Sequence, residues 1–586
     1  MQPSRRFAAH FAFALVMISQ SFAARAQTQP APGQVPSREQ VELPRPKQDQ
    51  RQSRVRVDSK ASVADQTCHF RGPEFDSLRL NVDRLTFTGP GGAELAPEVR
   101  EVLAPMAPPP ASSRLEVICG LQDRANELVS QAGYVASVVV PPQTIDSGEL
   151  RFEVITARIV EVRVHGDAPP YRRTLEARVD QLKALNPLNR RDAERILLVA
   201  GDIPGLDVQL ALRRGTATGE VIGDLVIQYR PFSIFGNVNN YGSPQLGRET
   251  AFVRAEAYGL IGLQDVTYVG ASTTLDFEEQ RVVQIGEVIG LGDGGMTLEG
   301  SFLYAWSRPD VGILDLRSES LVGSLALSAP LRRSRRQAID LTGGLELIEQ
   351  RTRVFSGGAG APLNRDKLRV AFLRADAELR GFLPTGREAY SVTGSLEVRQ
   401  GLGILDATRR GEISPGGFTP TRFSGDPTAL VVRASLDGVA GLGAGFSLAG
   451  RARGQWANNP LLNFEEFSIG NLTIGRGYDP GANSADRAIG LRAEPRFTVH
   501  DDGETRVDLF GFYDSVWIWN LDPNAVETGR RLGSWGGGVR AVIAGLGLAE
   551  IAYARPEDRA LLIPGTQRAT DRLLVSLTFQ FPRGGR

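Results

Sequence analysis

From about Pro231 to the C-terminus, apolar and polar residues alternate in segments of about 8–12 residues, separated by Gly-, Asp-, Asn- and Pro-rich turns. Met296, Leu298, Gly300, Phe302, Tyr304 and Trp306 share one face. Ile489, Leu491, Ala493, Pro495, Phe497 and Val499 share another, and the opposite face of that segment carries Gly490, Arg492, Glu494, Arg496 and Thr498. Near the end, Leu573, Val575, Leu577, Phe579 and Phe581 face one way, while Ser576, Thr578 and Gln580 face the other. Roughly 16 such segments fit between Phe232 and Phe581, or about 22 residues per strand and connection. That pattern predicts a mainly β fold, a transmembrane antiparallel barrel over 232–581 with an apolar outside and a polar lumen. A large soluble β-sandwich or propeller is the competing reading. The charged row from Arg492 to Arg496 counts against it, because a soluble core does not take rows of charge. Pro495, lacking an N–H, predicts a local break in its strand. A short extension, 582–586, follows the last aromatic residue.

Upstream the period changes. Leu78, Leu80 and Val82 predict a strand, and Ser113-x-x-Glu116 a capping box. The box would open a helix through Leu115, Ile118, Gln122, Ala125, Leu128, Val129 and Ala132, stopped by Gly133. Strands are expected at Val138–Val140 and Leu150–Val154. The order strand, helix, helix, strand, strand then repeats. Val160, Val162 and Val164 form a strand, a helix covers about Thr174 to Leu185, and Asn189 caps a second helix through Ala200. Val208–Leu212 and Leu225–Tyr229 complete the unit. Two small α+β domains result, 71–157 and 158–231. Residues 27–70, rich in Gln, Pro, Ser and Arg, read as a flexible linker too poor in apolar residues to fold. Arg5 and Arg6, the apolar run from Phe7 to Ala24 and the Ala24-Arg25-Ala26 site read as a signal peptide over 1–26.

Charge adds little direction. Lys+Arg and Asp+Glu are equal at 67 each, so no global field favours nucleic acid. His10, His69, His165 and His500 stand apart, leaving no metal spacing, and neither a cofactor nor a catalytic constellation is expected. Gly441-Leu442-Gly443-Ala444-Gly445 lacks the Lys and following helix of a phosphate loop. Cys68 and Cys119 would both be periplasmic, where a bridge or two free thiols are open alternatives.

Four stretches resemble a known family. Gly133-Tyr134-Val135, Pro142-Gln143 and Gly148-Glu149-Leu150 are similar to a first POTRA domain. Asn186-Pro187-Leu188-Asn189, Glu194-Arg195 and Pro204-Gly205 are similar to a second. Asn240-Tyr241-Gly242 resembles the start of a barrel. Gly475-Arg476-Gly477-Tyr478 resembles the tip of a lumenal loop, here about 456–487. Together they resemble the transporters of two-partner secretion, the haemolysin-secretion/activation family of the Omp85 superfamily.

The resemblance implies a 16-stranded outer-membrane barrel behind two periplasmic POTRA domains, exporting a large secreted partner protein without ATP. It implies that Arg476 pairs with Asp514, near Glu494, since an Arg in the lumen needs a carboxylate. Val516 stands where the family usually has Gly. Tyr134 and Leu150 are plausible substrate contacts in the first POTRA domain. Outer-membrane lipids and, during biogenesis, the barrel-assembly machinery are the other expected partners. The family often has a pore-plugging helix before its POTRA domains; residues 27–65 are too Pro-rich for the sequence to assign one or to exclude it. An assembly factor that inserts other barrels would share the barrel and the loop, but typically has three or five POTRA domains. A diffusion porin would leave the two domains idle, and a periplasmic enzyme would need a site.

Overall fold

The computed structural model describes residues 35–43, 57–58, 67–75, 77–145, 148–292, 294–312, 314–355, 358, 360–385, 387–522, 527–544, 546–562 and 569–581. The expected signal peptide and the C-terminal extension lie outside the described residues, as does most of the expected linker.

Sixteen long strands form one closed antiparallel barrel, from Phe232–Asn239 to Arg572–Phe581, with a two-residue ribbon at Asp310–Val311. The first strand pairs with the last, Ile234 opposite Phe581 through Asn239 opposite Ser576, so the sheet has no free edge. Closure follows from the solvent. In hydrocarbon a strand edge has no water to bond, so each N–H and C=O must be met within the sheet. Alternation sorts the side chains. In Thr505–Trp519, Leu509 and Tyr513 face outward while Phe510, Phe512 and Asp514 are buried in the lumen. Pairing between Arg487–Asp501 and Thr505–Trp519 is interrupted between Ala493 and Arg496, around Pro495, with a bulge between Thr498 and His500.

Two α+β domains of the POTRA type precede the barrel. In the first, Arg84–Thr88 runs parallel to Glu149–Thr156, which pairs antiparallel with Ala136–Val139; helices Pro97–Leu103 and Val117–Gln131 cover the sheet. Two expectations need correction. The first strand lies at Arg84–Thr88 rather than around Leu80, because Arg79–Leu80 forms a two-residue ribbon with Ser113–Arg114. That ribbon also holds Ser113 in extended backbone, so the capping box does not form and the helix begins at Val117 with no side-chain cap. Gly133, at φ 97°, ends this helix in the left-handed region where a Cβ is costly.

In the second domain, helices Arg172–Lys183 and Arg190–Gly201 pack on strands Arg158–His165, Leu206–Arg214 and Glu220–Tyr229. The Asn189 side chain accepts the Arg191 N–H at 2.9 Å, capping the second helix. Leu188 is fully buried at the junction; its N–H donates to Ala157 O and its carbonyl accepts from Val135 N. The second domain docks on the barrel through Arg333, which reaches Asp202 at 2.8 Å and Asp340 at 2.6 Å, and through the Tyr229 hydroxyl on Tyr258 O at 2.6 Å.

The linker expectation also needs correction. Val57–Asp58 adds in parallel to the edge of Leu206–Arg214. Residues 35–43, with the helix Arg38–Val41, sit inside the barrel, where Val41 is fully buried against Phe252, Phe464 and Leu462. The stretch is too polar to fold alone and borrows its core from the lumen.

A disulfide joins Cys68 to Cys119, with Cα atoms 5.7 Å apart, across 51 residues of sequence. It ties the chain leading into the first domain to that domain's long helix. Replacing both cysteines by Ser should destabilise this domain by about 2–4 kcal/mol. Limited proteolysis of the full chain in detergent should show residues 67–157 cleaved sooner, with the barrel's heat-modifiable gel mobility unchanged.

Candidate functional site

Between strands Phe446–Ala457 and Arg487–Asp501 the chain does not cross to a neighbouring strand directly. It turns inward as a loop, 458–486, and its tip meets the wall made by Arg487–Asp501, Thr505–Trp519 and Gly529–Ile543. Two glycines allow this contact. Gly475 has φ 102°, and a Cβ on Gly477 would lie 2.8 Å from Pro556 N and from Ser534 Cβ. On the wall, a Cβ at Gly490 would lie 2.4 Å from Ile474 Cγ2, so that glycine leaves room for the loop.

The tip is held mostly by its backbone. Gly475 N–H and Arg476 N–H donate to Asp514 Oδ2 at 3.1 and 2.7 Å, and Gly477 N–H donates to Ser534 Oγ at 3.3 Å. The Tyr478 hydroxyl donates to Gly533 O at 2.8 Å and accepts from Asp558 N–H, while Arg572 donates to Tyr478 O at 2.9 Å.

The expected Arg476–Asp514 side-chain pair is not the one formed. Asp514 is already chelated by Arg492, Nε to Oδ1 at 2.6 Å and Nη2 to Oδ2 at 2.8 Å, a buried two-pronged contact within the wall. Arg476 instead reaches past it to Glu494, Nη1 to Oε2 at 2.7 Å, and lies over the rings of Phe512 (4.7 Å) and Phe510 (5.4 Å). That Nη1 is close to Glu494 but lacks hydrogen-bond geometry, so charge and ring faces hold the guanidinium. Glu494 is shared with Arg496 at 2.7 Å and Arg540 at 3.4 Å. Val516, where the family usually has Gly, is fully buried in an apolar cluster with Ile474 and Tyr478 and so packs against the tip.

A second cluster was not foreseen. Arg38 of the N-terminal helix meets Glu346 of the wall at 3.1 Å and Glu465 of the loop at 2.8 Å. Arg399 meets the same two carboxylates at 2.6 and 2.8 Å, and Arg433 reaches Glu465 at 3.0 Å. Glu465 is thus the point where wall, loop and N-terminal helix meet. Gln350 and Asn463 donate to Pro36 O, Gln280 to Gln40 O, and Gln40 to Pro480 O. At the base of the loop, buried Asp486 accepts from Arg422 and from the Leu461 and Leu521 N–H groups. Signals existed in part: Glu346, Arg399 and Arg433 sit at lumen-facing strand positions.

The two residues suggested as substrate contacts are placed differently. Leu150 is fully buried in the first domain's core, because the inward face of its central strand packs on the helices. It is not available to a partner in this fold, which corrects that expectation. Tyr134 is half-buried at the junction between the two domains, bridged to Asn189.

A 16-stranded barrel behind two POTRA domains, with a folded-back loop and an N-terminal helix in its lumen, defines the class of an obstructed outer-membrane pore. Comparison with known proteins gives the family. The model described as "Haemolysin secretion/activation protein ShlB/FhaC/HecB" matches residues 226–541. The chain belongs to this family, the two-partner secretion transporters of the Omp85 superfamily. It is 23% identical over 420 residues to the outer membrane transporter CdiB-2 of Burkholderia pseudomallei (strain 1026b), covering 68% of this chain and 67% of that protein. Among solved structures, CdiB from Escherichia coli matches with a TM-score of 0.67 at 16% identity, over 91% of this chain and 95% of that one. BamA from Haemophilus ducreyi lacking POTRA domains 1–3 matches at 0.51 and 12% identity, over 86% and 100%. The chain is therefore an outer-membrane two-partner secretion pore, with its POTRA domains in the periplasm. The strand ends near Phe232 and Phe581 face the periplasm, and the opposite ends face outward.

Asp514→Ala should cost more than Glu494→Gln. The first leaves Arg492 buried without its carboxylate and removes the acceptor of two loop N–H groups, a loss of about 3–5 kcal/mol. The second removes charge from Arg476 alone among the loop's contacts. Thermal unfolding in detergent should rank the variants in that order, and Arg476 should become accessible to trypsin in both.

Proposed function

We propose that this pore takes up one large partner protein that reaches the periplasm unfolded. An extended segment of the partner adds to a POTRA strand edge by main-chain hydrogen bonds, which ask little of its sequence. The partner then passes through the lumen as the loop tip and the N-terminal helix give way. Folding outside the cell supplies direction, and no nucleotide is consumed. We assign the chain no catalytic step. Outer-membrane lipids surround the barrel, and the barrel-assembly machinery inserts it.

The observation that carries this reading is the shared carboxylate of Glu465. Both lumenal obstructions meet there, and each is tied to the wall by ion pairs that another polar chain could replace. Pairs of this kind keep most of their strength only while water is excluded. An entering polypeptide that brings water and its own polar groups weakens them together.

Deleting the gene should leave one large partner protein trapped or degraded in the periplasm. Loss of many unrelated outer-membrane proteins would instead favour a barrel-assembly role. Arg476→Ala should abolish export while leaving the barrel in the membrane; normal secretion by this variant would refute the loop-tip mechanism. Removing residues 35–43 should raise ion conductance in planar bilayers, because the helix at Arg38–Val41 occupies lumen otherwise open to water.

A further inference from the structure

The lipid-facing wall has one sector where side chains shrink. Gly438 stands opposite Gly450, and Gly450 opposite Ala493, so one outward row across three strands carries nothing beyond Cβ. The rows on either side are Leu436–Ala452–Leu491 and Ala440–Leu448–Pro495. The result is an apolar groove of about 810 Å³ on the outer face, running from Trp517 to Tyr390. It reaches from near the extracellular end of Thr505–Trp519 to near the periplasmic end of Glu388–Gly401, so its extracellular part lies at the depth of the outer leaflet.

The groove ends, on its extracellular side, at an arginine. Arg531 is exposed on the outer wall, with Nε donating to Ser515 Oγ at 2.7 Å and Nη2 to the Tyr513 hydroxyl at 2.5 Å. Its guanidinium lies 5.9 Å from the Tyr513 ring and 5.8 Å from the Trp517 ring. Two strands away, Arg487 lies over Trp456 at 5.2 Å and donates to Ala457 O. Neither forms a direct ion pair among the described residues, although the Tyr513 hydroxyl that Arg531 meets also donates to Glu557 Oε2 at 3.1 Å; the lumenal Arg492, Arg433 and Arg540 are all paired directly. Four of the chain's five tryptophans, Trp456, Trp517, Trp519 and Trp535, belong to this sector. Trp456, Trp517 and Trp519, near the extracellular ends of their strands, stand where an aromatic belt marks headgroup level, and Trp535 lies further in, opposite Tyr513.

A lipid-facing arginine costs about 2–4 kcal/mol at the bilayer midplane and almost nothing at the interface. These two sit where the cost is small and where phosphates lie. We propose that this sector binds a phosphorylated, multiply acylated lipid of the outer leaflet. One acyl chain lies in the groove, and a headgroup phosphate rests on Arg531 with Arg487 beside it. Arginine suits the role because its planar fork meets two phosphate oxygens at once while its face stays on the aromatic rings. The lipid would brace strands Arg487–Asp501 and Thr505–Trp519, whose inner faces hold the loop tip.

The test uses the full chain in nanodiscs, with lipid retention read by native mass spectrometry. The probes are bis-phosphorylated hexa-acyl lipid A, the same lipid dephosphorylated, and phosphatidylethanolamine. The wild type should retain bis-phosphorylated lipid A preferentially. Arg531→Ala should weaken retention about fivefold. Gly450→Leu should abolish it with both arginines intact. A Cβ at Gly450 meets nothing closer than Arg492 O at 3.9 Å, so this variant should fold. Equal retention of all three lipids, or unchanged retention in Gly450→Leu, would overturn the proposal. So would a shift of the wild type from dimer to monomer in Gly450→Leu, which would assign the groove to a second barrel.

Discussion

A backbone N–H in hydrocarbon has no water to bond, and the rest of this structure follows from that. The sheet must close, so Phe232–Asn239 pairs with Arg572–Phe581. Closure gives every strand an outside and an inside, and alternation sends apolar residues to lipid and polar ones to the lumen. A lumen built this way fills with charge.

Charge inside a narrow barrel is stable only when it is paired. Arg492 chelates Asp514 across neighbouring strands, and Arg540 meets Glu550 and Glu494. This lining also gives a loop or helix something to hold. The loop tip adds its backbone N–H groups to Asp514 and its guanidinium to Glu494. The N-terminal helix adds Arg38 to Glu346 and Glu465. The same carboxylates that balance the wall therefore close the pore. An obstruction held by ion pairs and backbone hydrogen bonds can be exchanged for another polar chain, which suits a transporter better than a sealed apolar core would.

The periplasmic domains solve a different problem. Each is small, and its sheet is covered by two helices on one face. The first is stapled by the Cys68–Cys119 bridge, and the second is docked on the barrel through Arg333. Leu188 and Asn189 sit where the two domains meet, so the Asn186–Asn189 motif has a structural role at the junction.

Much of this could be read from the chain alone. Period-2 alternation is local, so the barrel strands, their lumenal faces and the carboxylates at Glu494 and Asp514 were legible from spacing. The Gly-Arg-Gly-Tyr tip was legible through its resemblance to the family's lumenal loop, not from spacing. What escaped depends on residues far apart in sequence. The helix at Arg38–Val41 has no apolar stripe of its own and finds its partners more than 300 positions away, at Glu346 and Glu465. The choice of Glu494 over Asp514 for Arg476 turned on which carboxylate Arg492 had already taken, which only the assembled wall reveals. Leu150 was visible as part of a strand, yet whether it faced a partner or the core depended on where the helices packed. Local periodicity determined the elements and their faces; the pairing of charges across the lumen was decided only when the barrel closed and brought those faces together.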